Sequence, residues 1–233
     1  LHAEGRKVRV VLPRHASAES PSFSENLRRA ANAGVEVVQL GEESELPACT
    51  KDEVIVDALF GIGLSRPVKG WLKKVIVDIN GRPNEVIAID MPSGLFTEDN
   101  TTNDPEAIVK ATHTITLELP KLAFFLAENA HYVGEWHVLP IGLDRDFIAT
   151  LKTEAELIQS SDMAALLPAR DHFAHKGDFG HAWLLAGGPG KMGAALLAAK
   201  ACLRSGVGLL TAHVPGGTEN LVHSSLPEAM VSV

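Results

Sequence analysis

Apolar runs alternate with amphipathic stretches along the first half of the chain. The runs "RKVRVVL", "VEVVQL", "VIVDALF" and "EVIAID" are short and rich in β-branched residues, which predicts buried strands. Between them, "SFSENLRRAANAG" carries apolar residues at helical spacing behind a serine cap, and Gly34 terminates it. The second helical stretch is "WLKKVIVDIN", whose apolar face consists of Trp71, Leu72, Val75, Ile76 and Ile79. Strands that alternate with such helices predict an α/β fold with a doubly wound, mostly parallel sheet.

The pattern changes near residue 150 and indicates a second domain. The stretch up to "VGEWHVLPIGL" is richer in strand than in helix and completes the first sheet, so the first domain is predicted to span 1–150. Residues 151–170 contain several polar residues and no glycine, which is typical of a linker with a helical piece. Residues 171–233 then read as loop, strand, glycine turn, small-residue helix and strand, the opening of another α/β domain. This part is short for a nucleotide-binding domain and is predicted to be cut short.

Composition and charge narrow the class of function. The 233 residues are 45% hydrophobic and can bury a real core, while the net charge of −8 and the scattered Lys and Arg exclude a nucleic-acid surface. No apolar run approaches the about 20 residues of a membrane span, and the N-terminus does not resemble a signal peptide. We therefore predict a soluble cytoplasmic protein with small-molecule partners, no membrane association and no nucleic acid.

Cysteine and histidine spacing gives no sign of a metal site. Cys49 and Cys202 are far apart and match neither a disulfide scaffold nor a zinc motif. The ten histidines show no HExxH or similar spacing. No histidine is assigned to a transition metal on this basis.

Two aspartates follow predicted strands, at the edge of a parallel sheet where ligands bind. Asp57 ends "VIVD", and Asp90 ends "VIAID". Either one alone is equally well explained as a solvated strand-end residue or a helix cap. Two of them in one domain, each followed closely by glycine, favour a site.

Loops and lysines offer further candidates, each with a structural alternative. The loop "GIGLSRPVKG" precedes a helix and carries Arg66 and Lys69, which suits a phosphate, although glycine is also the ordinary turn residue. Lys121 either projects into the same cleft or is a surface lysine. "AGGPGKMGAA" joins strand to helix and is a candidate cradle for a nucleotide or ligand phosphate, although it lacks the spacing of a P-loop. Lys176 and Asp178 either contact a ligand or order their own loop.

Several motifs occur together in the order found in one family. They are "VDALFGIGLSRPVKG", "AIDMPSG", "LPKLAFF", "VGEWHVLPIGL", "HKGDFGHAWLLAGGPGKMGAALLAAKACLRSGVGLLT" and "LPEAMV". By these motifs the chain resembles the bifunctional NAD(P)HX repair enzymes, in which an epimerase domain is fused to a dehydratase domain. The resemblance implies a Rossmann-like epimerase domain over 1–150 and the N-terminal part of a ribokinase-like dehydratase domain over 171–233.

The resemblance also implies the reactions. The substrates are NADHX and NADPHX, the forms of NADH and NADPH hydrated on the nicotinamide ring. The first domain interconverts the R and S epimers and uses K⁺. The second domain uses ADP or ATP with Mg²⁺ to phosphorylate the ring hydroxyl of the S epimer, after which phosphate leaves. A homo-oligomer is expected.

Site residues carry over from the family by motif. Asp57 and Ser93 are similar to the potassium ligands, and Asp90 is similar to a substrate-contacting aspartate. We hypothesise that Asp90 is also the acid/base group, because epimerising this carbon requires proton transfers. Ala194 is similar to a substrate contact of the dehydratase domain. The remaining predicted substrate-binding residues are Gly61, Ile62, Gly63, Leu64, Ser65, Arg66 and Pro67.

The chain departs from the family at both ends. The asparagine- and glycine-rich motif of the family is expected before Leu1, together with a central strand, and the ATP-site loop and catalytic aspartate are expected beyond Val233. We therefore predict a fragment that lacks phosphoryl-transfer machinery and has poor stability, because a missing central strand leaves two edges unpaired. Two alternatives stay open: a ribokinase-type small-molecule kinase with an accessory domain, and a non-catalytic module that binds a dinucleotide or a partner.

Overall fold

The computed structural model describes residues 1–13, 20–42, 44–153, 155–167 and 169–233. The chain divides into two compact units, Leu1–Glu156 and Leu157–Val233. The division falls within the predicted linker. The assignment of the two units to an epimerase and a dehydratase domain stays a prediction.

The first unit alternates strands with helices. Its elements in chain order are β1 (Arg9–Pro13), α1 (Pro21–Asn32), β2 (Glu36–Leu40), β3 (Ile55–Asp57), α2 (Gly70–Gly81), β4 (Val86–Ile89), β5 (His113–Leu117), α3 (Ala130–Val133), β6 (Glu135–Leu139) and α4 (Arg145–Thr150). Ser20 caps α1 by accepting a hydrogen bond from the N–H of Phe23, so the helix begins slightly before the predicted stretch, which starts at Ser22.

The strands of this unit form two parallel sheets. β1 pairs with β2, and a four-stranded sheet has the order β3-β4-β5-β6. All of the strand pairs in the described ranges of the unit are parallel. The α/β class with parallel sheets is confirmed. Because β3 and β4 are parallel neighbours, their C-terminal ends lie side by side at the same end of the larger sheet.

Helix α2 covers one face of the four-stranded sheet. Val75, Ile76 and Ile79 are buried, as the helical periodicity predicts, and they pack in one cluster with Val86 of β4. A second cluster lies beneath the loops that follow β4 and β5. Its buried members are Met91, Leu95, Ile108, Ala123, Phe124, Tyr132 and Val133. Together the two clusters fix the backbone around Asp57, Asp90 and Ser93.

The second unit is a smaller α/β unit. Its elements are α5 (Ser160–Leu166), β7 (His181–Leu185), α6 (Met192–Arg204), β8 (Leu209–His213), α7 (Glu219–Ser225) and β9 (Met230–Ser232). The strands form a parallel sheet in the order β7-β8-β9. The predicted succession of strand, glycine turn, helix and strand is confirmed, whereas the ribokinase-like assignment stays a prediction.

In the described ranges, none of the helices has both the length and the apolar character needed to cross a membrane.

Candidate functional site

A buried carboxylate at the end of β3 is joined to the loop after β4. The N–H of Ser93 donates to Asp57 Oδ2 at 2.7 Å, and the Ser93 hydroxyl donates to Asp57 Oδ1 at 2.6 Å. The Ser93 hydroxyl oxygen accepts in turn from the N–H of Phe60 at 2.9 Å. Asp57 and Ser93 are 2% and 0% exposed, so the two predicted potassium ligands are in direct contact inside the protein.

The electrostatics of Asp57 are those of a carboxylate without a counter-ion. Burial raises the pKa of Asp57, and the hydrogen bonds from Ser93 and Leu59 lower it by less. No lysine, arginine or histidine of the described residues forms an ion pair with it. A buried carboxylate usually has a cationic partner.

The oxygen atoms around Asp57 fit a hard cation. The Asp57 carboxylate, the Ser93 hydroxyl and the Phe60 carbonyl lie together, because the Ser93 hydroxyl is within 3.4 Å of that carbonyl oxygen. Carboxylate, hydroxyl and carbonyl oxygens are the donors that hard cations prefer. The residues present therefore fit a potassium ion, and the identity of these ligands stays a prediction.

Asp90 occupies the position immediately after β4 in a backbone conformation that is uncommon for a non-glycine residue. Its φ is +68°, in the left-handed region that aspartate tolerates better than most residues. Its N–H donates to the carbonyl of Ile115 on the neighbouring strand, and Oδ1 accepts from the N–H of Leu117 at 3.2 Å. The carboxylate is thus held at the C-terminal edge of the sheet by the β4–β5 pairing.

Lys121 lies against Asp90. Its Nζ is 2.6 Å from Asp90 Oδ1 and 2.7 Å from the hydroxyl oxygen of Thr116, and the two charged side chains are 13% and 15% exposed. Of the two interpretations of Lys121, the structure therefore supports a place in the cleft and contradicts a free surface lysine. Sequence reasoning missed Thr116, which is fully buried and carries no motif of its own.

The predicted substrate loop begins next to Asp90. A Cβ atom added to Gly61 would lie 3.3 Å from Asp90 Oδ2, so the backbone of the loop approaches the carboxylate closely. Beyond Gly61 the loop alternates in burial. Ile62, Gly63, Ser65 and Arg66 are exposed, and Leu64 and Pro67 are half-buried. The exposed residues are open to a ligand, and Leu64 packs against the α2 core.

The remaining candidates lie in the second unit. Ala194 is exposed in the first turn of α6, where it was predicted, and its role as a substrate contact stays a prediction. Asp178 accepts a hydrogen bond from the N–H of His175 at 2.8 Å, which supports the loop-ordering interpretation. The glycine turn and first residues of α6, 186–196, offer neither carboxylate nor hydroxyl. These residues therefore offer no side-chain oxygen ligand for Mg²⁺.

Comparison with known proteins points to one family. Residues 1–123 match the family model described as YjeF-related protein N-terminus. A bifunctional NAD(P)H-hydrate repair enzyme of Moorella thermoacetica is 35% identical over 178 residues, which cover 76% of this chain and 33% of the relative. The enzymes of the same description from Thermofilum pendens and Escherichia coli are 35% identical over 212 residues and 32% identical over 181 residues.

The alignments cover much of this chain and little of the relatives. They extend over 89% of this chain for the Thermofilum protein and 77% for the Escherichia protein. The corresponding shares of the relatives are 39% and 34%. The chain thus spans less than half the length of the curated relatives that it matches.

Proposed function

This chain belongs to the family of the YjeF-related protein N-terminus, and from that premise we propose its function. We propose that its first unit carries the epimerase site of an NAD(P)H-hydrate repair enzyme. The substrates would be the hydrated nicotinamide dinucleotides NADHX and NADPHX. The named activity of the relatives supports this proposal.

The single observation that carries the proposal is the Asp90–Lys121 pair. It places a carboxylate and an ammonium group 2.6 Å apart at the C-terminal end of β4, with the backbone of Gly61 beside the carboxylate. This edge of a parallel sheet is where ligands bind in open α/β folds. A positioned carboxylate within hydrogen-bond reach of the substrate is what acid–base catalysis of the epimerisation requires.

The chemistry follows from the hydrate itself. Its hydroxyl-bearing ring carbon is bonded to the ring nitrogen, so transfer of the hydroxyl proton through the base to that nitrogen allows the carbon–nitrogen bond to break, leaving an aldehyde and a neutral N–H. Rotation and reclosure on the other face of the carbonyl then give the other epimer. In this proposal Asp90 takes and returns the proton, and Lys121 orients the carboxylate.

Potassium would be held by Asp57 and Ser93. A bound K⁺ supplies positive charge beside a buried carboxylate, which keeps that carboxylate ionised. Through the Ser93 hydroxyl and the N–H of Phe60, the same contacts set the start of the loop Gly61–Pro67. That loop would bind the dinucleotide, and the exposed Arg66 is positioned to meet a phosphate group.

Dehydration of the S epimer is proposed for the full-length gene product. By that proposal ADP or ATP with Mg²⁺ drives the reaction, and Ala194 contacts the substrate. The relatives of this chain are described as bifunctional, which supports the second activity. Cytoplasmic location and assembly as a homo-oligomer belong to the same proposal.

The test is to give the full-length gene product purified R-NADHX and to follow both epimers and NADH by chromatography. Exchange faster than the spontaneous reaction is expected without nucleotide, and NADH is expected on addition of ADP or ATP. If the protein produced no exchange above the spontaneous rate and no NADH, the result would favour the kinase or the binding module. Nucleotide hydrolysis that depends on a sugar or vitamin and ignores NADHX would identify the kinase.

We predict that Asp90→Asn lowers the rate of epimer exchange at least about 100-fold, the lower end of what acid–base catalysis contributes. Asparagine adopts the left-handed conformation readily, so the backbone at position 90 is retained. Asp52→Asn is the matched control, because Asp52 is exposed and outside the site. Full exchange by Asp90→Asn, with an unchanged circular dichroism spectrum, would contradict the role of Asp90.

A further inference from the structure

We propose that His113, Glu135 and His137 form a binding site for a divalent transition metal ion such as Zn²⁺. One ligand atom from each of these side chains lies within 4.8 Å of the others. Glu135 is central, since its two oxygens are 3.8 Å from His113 Nδ1 and 3.7 Å from His137 Nε2. The site is separate from the Asp57–Asp90 region.

The parallel register of β5 and β6 brings the three residues together. His113 pairs with Glu135, and Ile115 pairs with His137. Side chains two residues apart share a face of a strand, and neighbouring strands are about 4.8 Å apart. The alternate residues Thr114 and Thr116 are buried on the opposite face, which leaves the His113 face accessible.

The donor set and spacing suit the ion. Two imidazoles and one carboxylate are a recurrent zinc ligand set, with water in the fourth position. Ligands at about 2.1 Å from a tetrahedral ion lie about 3.4 Å from one another. The two Glu135–histidine separations exceed this by a few tenths of an ångström, whereas the ligand atoms as a set lie up to 4.8 Å apart, so binding requires the exposed side chains to rotate inward. Glu135 and His137 are 68% and 54% exposed, so they are free to rotate.

A second carboxylate supports the assignment. Glu85 Oε1 is 3.5 Å from His113 Nε2, the ring nitrogen that faces away from Glu135. Metal-ligating histidines commonly donate their other N–H to a carboxylate, which fixes the tautomer and orients the ring. In this arrangement His113 would present Nδ1 to the ion, with Glu85 at ion-pair distance from Nε2. Glu85 is a positioning residue in this arrangement.

The location indicates what the ion does. His113 and Glu135 are the first residues of β5 and β6, whereas Asp57 ends β3 and Asp90 follows β4. In a parallel sheet the first residues and the last residues of the strands lie at opposite ends of the sheet. The ion would therefore join β5 to β6 and stabilise the sheet, and it takes no part in the proposed epimerisation. The spacing of the histidines along the sequence gives no sign of this site, and the proposal departs from the sequence-based expectation that no histidine binds a transition metal.

The test is calorimetric titration of ZnCl₂ into the full-length gene product after chelator dialysis and removal of any histidine tag. We expect a zinc site that is weakened at least about tenfold by His137→Asn and by His113→Asn, and about tenfold by Glu85→Gln, the usual effect of removing an outer carboxylate. His172→Asn, an exposed histidine in the second unit, is the matched control and should bind as the parent does. Zinc should also raise the melting temperature of the parent and leave that of His137→Asn unchanged.

Two outcomes would overturn the proposal. The first is no zinc binding up to about 1 mM, the range of nonspecific contacts, which would make the group a set of surface His–Glu ion pairs. The second is equal affinity in the parent, His113→Asn and His137→Asn, which would place the zinc elsewhere. Because His137 is half exposed, its variant is expected to fold, and circular dichroism spectra check this.

Discussion

At the scale of single residues, Asp57 is governed by two opposing effects on its carboxyl group. Burial raises its pKa, and the hydrogen bonds from Ser93 and Leu59 offset only part of that rise. An aspartate whose pKa is higher in the folded state than in the unfolded state binds protons preferentially when folded. Its contribution to stability is therefore largest at low pH, and it is lost as the pH rises through the folded-state pKa. Above that pKa the ionised carboxylate destabilises the fold unless a cation neutralises it.

The raised pKa of Asp57 leads to a prediction about potassium. At neutral pH, KCl should raise the melting temperature of the full-length gene product above that in the same concentration of tetramethylammonium chloride, which controls for screening. At a hundredfold excess over Kd the gain corresponds to about 2.7 kcal/mol. The gain should shrink as the pH falls through the Asp57 pKa, because the protonated carboxyl does not bind the ion.

Asp57→Asn provides the decisive comparison for that measurement. It keeps the size of the side chain and removes the charge, so the difference between the two salts should disappear. Equal melting temperatures of the parent in both salts, or an unchanged difference in the variant, would exclude Asp57 as a potassium ligand.

At the scale of elements, the loop after β4 positions Ser93 through contacts with a distant turn. The carbonyl of Ser93 accepts from the N–H of Val109, and Asn103 donates to the carbonyl of Gly94. Gly94 has φ +99°, and a Cβ there would overlap the carbonyl oxygen of Ala107 and lie within 2.9 Å of the Cα of Ile108. All of these atoms are backbone atoms, so rotation of a side chain does not relieve the overlap.

We predict that Gly94→Ala destabilises the protein by roughly 2–6 kcal/mol, the sum of backbone strain and overpacking. Denaturant unfolding measures the change. The control is Gly81→Ala at the end of α2, where an added Cβ meets nothing within 4 Å and the change should be neutral or slightly stabilising. Similar free energies of unfolding for the two variants would contradict the close approach seen at Gly94.

How far the sequence predicts these elements depends on the range of the interactions. Periodicity predicts α1, α2 and α6, because a helix displays its buried face locally in the sequence. It also predicts that Asp57 and Asp90 end strands. It does not predict the Lys121–Asp90 pair or the His113 group, because both depend on which strands pair and in what register. Residues 14–19, 43, 154 and 168, which include part of the segment before α1 and of the linker, lie outside the described residues.

At the scale of the whole molecule, the sheets explain why the first unit should be weak by itself. In the described part of the unit, the β1–β2 pair makes no strand pairing with the four-stranded sheet. β3 is therefore an edge strand of only three residues. Val54, which precedes it, is 48% exposed, and Val56, which lies within it, is 47% exposed. Edge strands with exposed apolar side chains present unpaired backbone groups to other chains.

We expect the isolated 233-residue chain to have a free energy of unfolding below about 5 kcal/mol, the low end for native domains. We also expect it to self-associate through the β3 edge. Circular dichroism melts at two protein concentrations, with light scattering, would then show a broad transition that depends on concentration. The charged variant Val56→Lys should reduce association, since lysine protects edge strands, and the control Val77→Lys on exposed α2 should not. A single cooperative transition that is independent of concentration would contradict the expectation, and it would mean that β1–β2 and β3–β6 are each stable with their edges unpaired.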